Sequence, residues 1–357
     1  MNLLKPEYIN PKERELVELF ISSNSVKKYI LGINKLTKSV LKFVAVDGII
    51  DDFTRVQRSR KKEILCIDEI PKDAIILSTA TGSPLEVKNR LDAMGFKNIN
   101  YLSLCKYSDF DLVDPPFIMD FKEDYKKNQE KYKEVYNLLA DDKSKEIFEK
   151  VINFKISFDY DFMQGFTNDH EGQYFDKEIL PDIKNISFVD GGGYVGDTAT
   201  EVIKNYPDFK KIYLIEPIPE NIRIAKRELA HYENIEFLTC GISNKKETLS
   251  FNEEKSFSTI YGSGTQSVEL DTIDNIVKER VDYIKLDIEG AEQNAIDGAK
   301  ETIKKYKPIL AICIYHKAED WYTIPKKVLA IESEYKIYLR HYMEGIFESV
   351  IYFIPKF

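Results

Sequence analysis

The feature that most restricts the fold is a run of glycines set directly after a short apolar stretch. Ile186-Ser187-Phe188-Val189 leads into Asp190-Gly191-Gly192-Gly193-Tyr194-Val195-Gly196. Glycines at this spacing suit a strand that turns sharply into a helix, where bare backbone must pass close to a neighbour or a ligand. Further apolar runs follow at Ile212-Tyr213-Leu214-Ile215, Ile235-Glu236-Phe237-Leu238, Tyr283-Ile284-Lys285-Leu286 and Ile309-Leu310-Ala311-Ile312-Cys313, with helical patterns between them. Five strands in alternation with helices predict an α/β, doubly wound Rossmann-like sheet. Lys336–Arg340 and Ser349–Phe353, separated by a turn containing Gly345, predict an antiparallel pair at one edge of that sheet.

The first part of the chain repeats the alternation on a smaller scale. Tyr29-Ile30-Leu31-Gly32, a helical stretch from Leu36 to Phe43, and a strand from Gly48 to Asp52 form a βαβ opening. Apolar runs at 64–67, 74–78 and 101–104, with a helix from Pro84 to Met94, extend it into a small parallel sheet with covering helices. The turn Gly32-Ile33-Asn34-Lys35-Leu36-Thr37 keeps one glycine where a dinucleotide loop needs several. It reads as a degenerate Rossmann-like scaffold used for packing, dimerisation or substrate handling. From Phe121 to Phe158 the sequence is rich in Lys, Glu and Tyr, with Tyr132, Val135, Leu138 and Leu139 at helical spacing. The expected organisation is a Rossmann-like unit over 1–120, a helical connector over 121–159 and a larger α/β unit over 160–357.

Lys+Arg 51 against Asp+Glu 60 gives a formal net charge of -9, which argues against nucleic acid or an anionic lipid surface as partner. The start, Met1-Asn2-Leu3-Leu4-Lys5-Pro6-Glu7, does not resemble a signal peptide, and no apolar stretch approaches the ~20 residues of a membrane span. A cytoplasmic protein without stable membrane insertion is expected. Cys66, Cys105, Cys240 and Cys313 lack CxxC spacing, so each is expected to be a small buried hydrophobe.

Read alone, Gly191-Gly192-Gly193-Tyr194-Val195-Gly196 is a GxGxxG, and Glu216 stands at the end of the next strand to accept hydrogen bonds from ribose hydroxyls. NAD and S-adenosylmethionine both satisfy that pattern. Two features favour the second. Asp190 places a carboxylate beside the loop, where it suits a cationic amino-acid group better than a pyrophosphate. Asp287, Glu289 and Glu292 cluster at the carboxyl edge of the fourth strand. Asp190 and Asp287 also have plain readings as turn or cap residues.

The larger unit resembles the FkbM-type methyltransferases, a class I S-adenosylmethionine-dependent family acting mainly on hydroxyls of sugars and natural products. The resemblance runs from about Gln173 to the C-terminus. It is carried by Gln173-Tyr174-Phe175, Phe188 to Thr198, Ile215-Glu216-Pro217, Val268 to Asp274, Tyr283 to Glu292 and Tyr315 to Asp320. It implies that Asp190, Gly191, Gly192, Gly193 and Gly196 form the methionine-binding loop, that Glu216 holds the ribose, and that Gly241, Ser243 or Asn244 borders the adenine, with Asp287 nearby. Tyr194 stands where many relatives carry glycine, and no acid occupies the position that often reads the adenine amino group.

Methyl transfer requires an aligned acceptor and removal of its proton. His316 is the expected base, with Asp320 orienting its ring and with Lys285 and Glu289 binding acceptor hydroxyls or tuning Asp287. Tyr174, Phe175, Trp321 and Tyr322 are candidates to line an acceptor pocket, or are ordinary core. No metal is assigned, although Asp287, Glu289 and His316 carry donor atoms that Mg²⁺ or Mn²⁺ accepts. The expected function is O-methylation of a carbohydrate, glycan or related small-molecule hydroxyl. The alternatives are a nicotinamide-dependent oxidoreductase and an inactive binding protein of the same fold. A homodimer is compatible with all three.

Overall fold

The computed structural model describes residues 1–51, 64–251 and 266–356. Asp52, expected at the end of the second strand, lies outside them. The chain divides into two compact units. The first comprises Met1–Gln129, Glu146–Asn168 and Tyr342–Phe347; the second comprises Glu130–Lys145, Asp169–His341 and Glu348–Phe357.

The first unit is built on a parallel sheet of β1 (Lys28–Leu31), β2 (Gly48–Ile50), β3 (Ile64–Leu65), β4 (Ile75–Ser78) and β5 (Lys97–Asn100), in the order β3-β2-β1-β4-β5. Strand alternation feeds two cores. Ile30, Ile75, Leu77 and Ile99 pack with Val17 and Phe20 of the helix Pro11–Ser22, while Tyr29, Ile50 and Ile76 pack with Leu91 and Phe96. Both faces are therefore covered, as a parallel sheet requires.

The expected strand at 101–104 is instead the first turn of a helix, Tyr101–Tyr107. The Asn100 side chain accepts the Ser103 N–H at 2.9 Å and starts it. The strand lies just upstream at Lys97–Asn100, where only Ile99 is buried, so an edge strand with little apolar signal was displaced onto the apolar helix start.

Helices Phe121–Leu138 and Asp142–Ser157 occupy the Lys/Glu/Tyr-rich stretch, the first interrupted by non-helical backbone at Asn128. Tyr132, Val135 and Leu139 are buried as their spacing suggested, but Leu138 is exposed.

In the second unit the strands are β6 (Ser187–Gly191), β7 (Lys211–Ile215), β8 (Ile235–Leu238), β9 (Gly241–Ile242), β10 (Glu247–Phe251), β11 (Gln266–Asp271), β12 (Tyr283–Leu286), β13 (Ile309–Cys313), β14 (Tyr335–His341) and β15 (Ser349–Pro355). Seven of them form one sheet in the order β14-β15-β13-β12-β6-β7-β8. Only β15 runs against the others, paired antiparallel with β13 and β14. The strand order reverses beside β6, which lies between β7 and β12, and such a switch point leaves a crevice at the carboxyl ends of the strands. A second sheet, β10-β11-β9, was not foreseen from the sequence. Among the described residues no helix is long and apolar enough to cross a membrane.

Candidate active site

The glycine loop is shaped by close approach to its neighbours. The N–H groups of Gly192 and Gly193 both donate to the Ile215 carbonyl at 3.0 Å, fastening the loop to the end of β7. Gly192 has φ +77°, and a Cβ there would lie 1.9 Å from the Asp287 carbonyl oxygen, so no side chain fits. Tyr194 adopts φ +42°, a backbone conformation that favours glycine, and its N–H donates to Glu216 Oε2 at 3.2 Å. Gly196, at φ +90°, opens the helix Asp197–Asn205.

Asp190 is fully buried. Its Oδ1 meets Lys285 Nζ at 3.1 Å, and the same ammonium donates to the Gly192 carbonyl at 2.8 Å. Burial pushes the Asp190 carboxyl up to about 6, with Lys285 pulling the other way. Burial opposes the Lys285 charge in turn, but Asp190 and Asp287 outweigh it and hold the ammonium above its ordinary range. The expected meeting of Asp190 with a cationic ligand group therefore has a competitor already in place, and Lys285 is a tie between β12, β6 and the loop rather than a free hydroxyl-binding group.

A cavity of about 1830 Å³ opens at the carboxyl ends of the strands, roughly twice what one small ligand needs. Gly192, Glu216, Gly241, Ser243, Lys285, Asp287 and Glu289 reach its wall, together with Tyr174 and Phe175. Asp190, Gly191, Gly193, Gly196, Asn244 and His316 are not part of the described wall. Trp321 and Tyr322 are core residues of the helix Asp320–Ile331, Tyr322 packing edge-on against Tyr132 with ring centroids 5.3 Å apart. Of the four cysteines only Cys313 is buried. Cys66 is exposed, Cys105 and Cys240 are half-buried, and Cys240 borders the cavity.

Glu216 is a buried carboxylate that accepts from the Tyr194 and Ile218 N–H groups and from Asn221 Nδ2. A carboxylate has about four acceptor positions, so one remains for a ligand hydroxyl. Desolvation raises its pKa, and these donors pull it back.

At the end of β12, Asp287 receives hydroxyl hydrogen bonds from Tyr174 at 3.1 Å and Tyr315 at 3.2 Å, and His316 Nε2 stands 3.5 Å from its Oδ1. His316 is buried, with Nδ1 3.0 Å from Glu292 Oε1 and Nε2 3.8 Å from Glu289. Burial disfavours the imidazolium, but Glu292, Asp287 and Glu289 together raise its pKa. The three carboxylates favour the charged form of the ring, and His316 is not part of the described cavity wall, both of which work against it as the base. Glu292 orients it, not Asp320, whose Oδ1 is bonded by Gln293 at 2.8 Å. Missing from the sequence reading is Glu348, whose carboxylate lines the cavity and accepts from Gln173 Nε2.

A family model described as the methyltransferase FkbM domain matches residues 190–338. In fold, the chain is similar to the crystal structure of methyltransferase FkbM from Methylobacillus flagellatus KT. The TM-score is 0.78 at 22% identity, over 98% of this chain and 96% of that one. Two smaller likenesses, both at TM-score 0.34 and 16% identity, are to a fibrillarin/Nop5p complex (51% of this chain, 78% of that one) and to an rRNA methylase from Streptococcus thermophilus (50% and 90%). No curated protein matches the chain in sequence. The loop packed on Asp287 falls within the matched segment, and residues 190–338 of this chain match the methyltransferase FkbM domain.

Proposed function

We propose that the second unit transfers a methyl group from S-adenosylmethionine to a hydroxyl oxygen of a carbohydrate or a related small molecule. The observation that carries this is the charge of the cavity wall beside the glycine loop. Glu171, Asp197, Glu216, Glu269, Asp287 and Glu348 face it against Lys285 and His170, and Lys285 is already paired with Asp190. Such a wall disfavours the pyrophosphate of a dinucleotide and suits a ligand bearing ammonium and sulfonium groups.

The residues fit that ligand. Gly192 reaches the cavity wall while packed against the Asp287 backbone, Glu216 offers one acceptor position for a ribose hydroxyl, and Gly241 and Ser243 also reach the wall. When bound, S-adenosylmethionine supplies an electrophilic methyl group. The protein's part is to hold the acceptor in line and to take up its proton. Asp287, Tyr174, Tyr315 and Gln173 offer donors and acceptors suited to several hydroxyls, and the ring of Phe175 offers an apolar face.

Calorimetric titration with S-adenosylhomocysteine tests the reading. Binding by the wild-type protein and at least a tenfold loss in Glu216→Ala are expected, because a buried carboxylate–hydroxyl bond contributes about 1.5–3 kcal/mol. Binding of NADH with no binding of S-adenosylhomocysteine would replace methyl transfer with the oxidoreductase alternative.

A further inference from the structure

We propose that Glu348 is the group that takes the proton from the acceptor hydroxyl. This rests on the methyl-transfer reading above and gives a specific residue the step that His316 is not placed to perform. Glu348 stands immediately before β15 and lines the cavity with φ +65°. One of its carboxylate oxygens, one of Asp287 and Cys313 Sγ all lie within 4.8 Å of one another.

The other titratable groups at this end of the cavity are committed. Asp287 has its charge spread over two tyrosine hydroxyls and His316. Lys285 is paired with Asp190, and His316 is enclosed by Glu292, Asp287 and Glu289. The Glu289 side chain is 61% exposed and so stays solvated. Glu348 accepts only the hydrogen bond from Gln173 among the described residues, which leaves about three acceptor positions. The charges around it come from every neighbouring element: Asp287 and Lys285 from β12 and its end, Cys313 from β13, and His316 just beyond. The phenols of Tyr174 and Tyr315 stand in the same field. Burial, then the Asp287 charge, pushes the Glu348 carboxyl up to about 7, the range in which a general base at neutral pH is most effective.

The step balances. The acceptor O–H proton passes to a Glu348 oxygen, and the acceptor oxygen forms the new C–O bond. The C–S bond breaks with its electron pair left on sulfur, giving a neutral thioether and a protonated Glu348 that returns its proton to solvent.

The test compares wild-type protein, Glu348→Gln and Asp287→Asn, all complexed with S-adenosylhomocysteine. Glutamine keeps the acceptor for Gln173, so the fold and cofactor affinity should be retained. Infrared pH titration should show a protonated-carboxyl stretch that titrates near neutrality, is absent in Glu348→Gln, and titrates at lower pH in Asp287→Asn. Transfer of a tritiated methyl group from S-adenosylmethionine to a cell glycan extract should fall about 100-fold or more in Glu348→Gln, with S-adenosylhomocysteine affinity unchanged. No neutral-range band lost with Glu348, or wild-type transfer rates in Glu348→Gln, would overturn the proposal. Failure of the wild-type protein to bind S-adenosylhomocysteine would instead remove the methyl-transfer reading, while the infrared band would still report on Glu348.

Discussion

The charges around Asp287 show why pairing matters more than the identity of single residues. In sequence, Lys285, Asp287, Glu289, Glu292, His316 and Asp320 form a group of candidate acids and bases. Their position at one sheet edge is readable because strand ends are readable. Which atom meets which is not, since it depends on the left-handed turn at Glu289 and Gly290 that brings Glu292 under the His316 ring. That ring should leave a signature in stability. Its folded-state pKa is raised above 6.5, so the stability it contributes is complete below 6.5 and is lost as pH rises through the folded value. Thermal melts of wild-type protein across neutral pH should therefore fall relative to His316→Gln. Parallel pH curves for the two proteins would show that folding leaves the pKa of the ring unshifted.

At the scale of elements, two strand–loop–helix junctions with related sequences have different fates. After β6, the loop amides of Gly192 and Gly193 fasten to β7, and Gly192 and Tyr194 reach the cavity wall. After β1, Asn34 caps the helix Lys35–Val40 itself, accepting the Leu36 and Thr37 N–H groups at 2.9 and 3.1 Å. These are the donors that a phosphate would use. Thr37 and Thr79 close the same turn, and a Cβ on Gly32 would strike Thr79 Oγ1. The missing glycines at 32–37 were a legible sign of this difference; the cap that replaces a ligand was not, because it depends on Thr79, distant in sequence. Asn34→Ala should cost about 1 kcal/mol of stability in chemical denaturation. A loss within a few tenths of a kcal/mol would mean that the Thr37–Thr79 contacts carry the turn. The small sheet β10-β11-β9 went unread for a related reason: β9 is two residues long and has no periodicity of its own.

For the whole molecule, the α/β class and the seven-stranded sheet follow from long buried runs such as Ile309–Cys313, every residue of which is buried. The cavity wall is harder to read, because it is assembled from residues within 170–175, 192–221, 239–249, 267–270 and 285–294, with Tyr315 and Glu348. Glu348 lies beyond the matched segment 190–338, and no motif spacing points to it. What the assembled wall has in common is negative charge, and that charge makes a prediction for the intact chain. S-adenosylhomocysteine at a hundredfold excess over its dissociation constant should stabilise the folded protein by ~2.7 kcal/mol, seen as a rise in melting temperature. NADH, whose pyrophosphate meets the same carboxylates, should give no rise. Glu216→Ala, melted with S-adenosylhomocysteine at the same concentration, should lose most of the shift, since weaker binding at fixed ligand lowers the linkage term directly. A full shift in that variant would place the ligand away from β7 and the glycine loop.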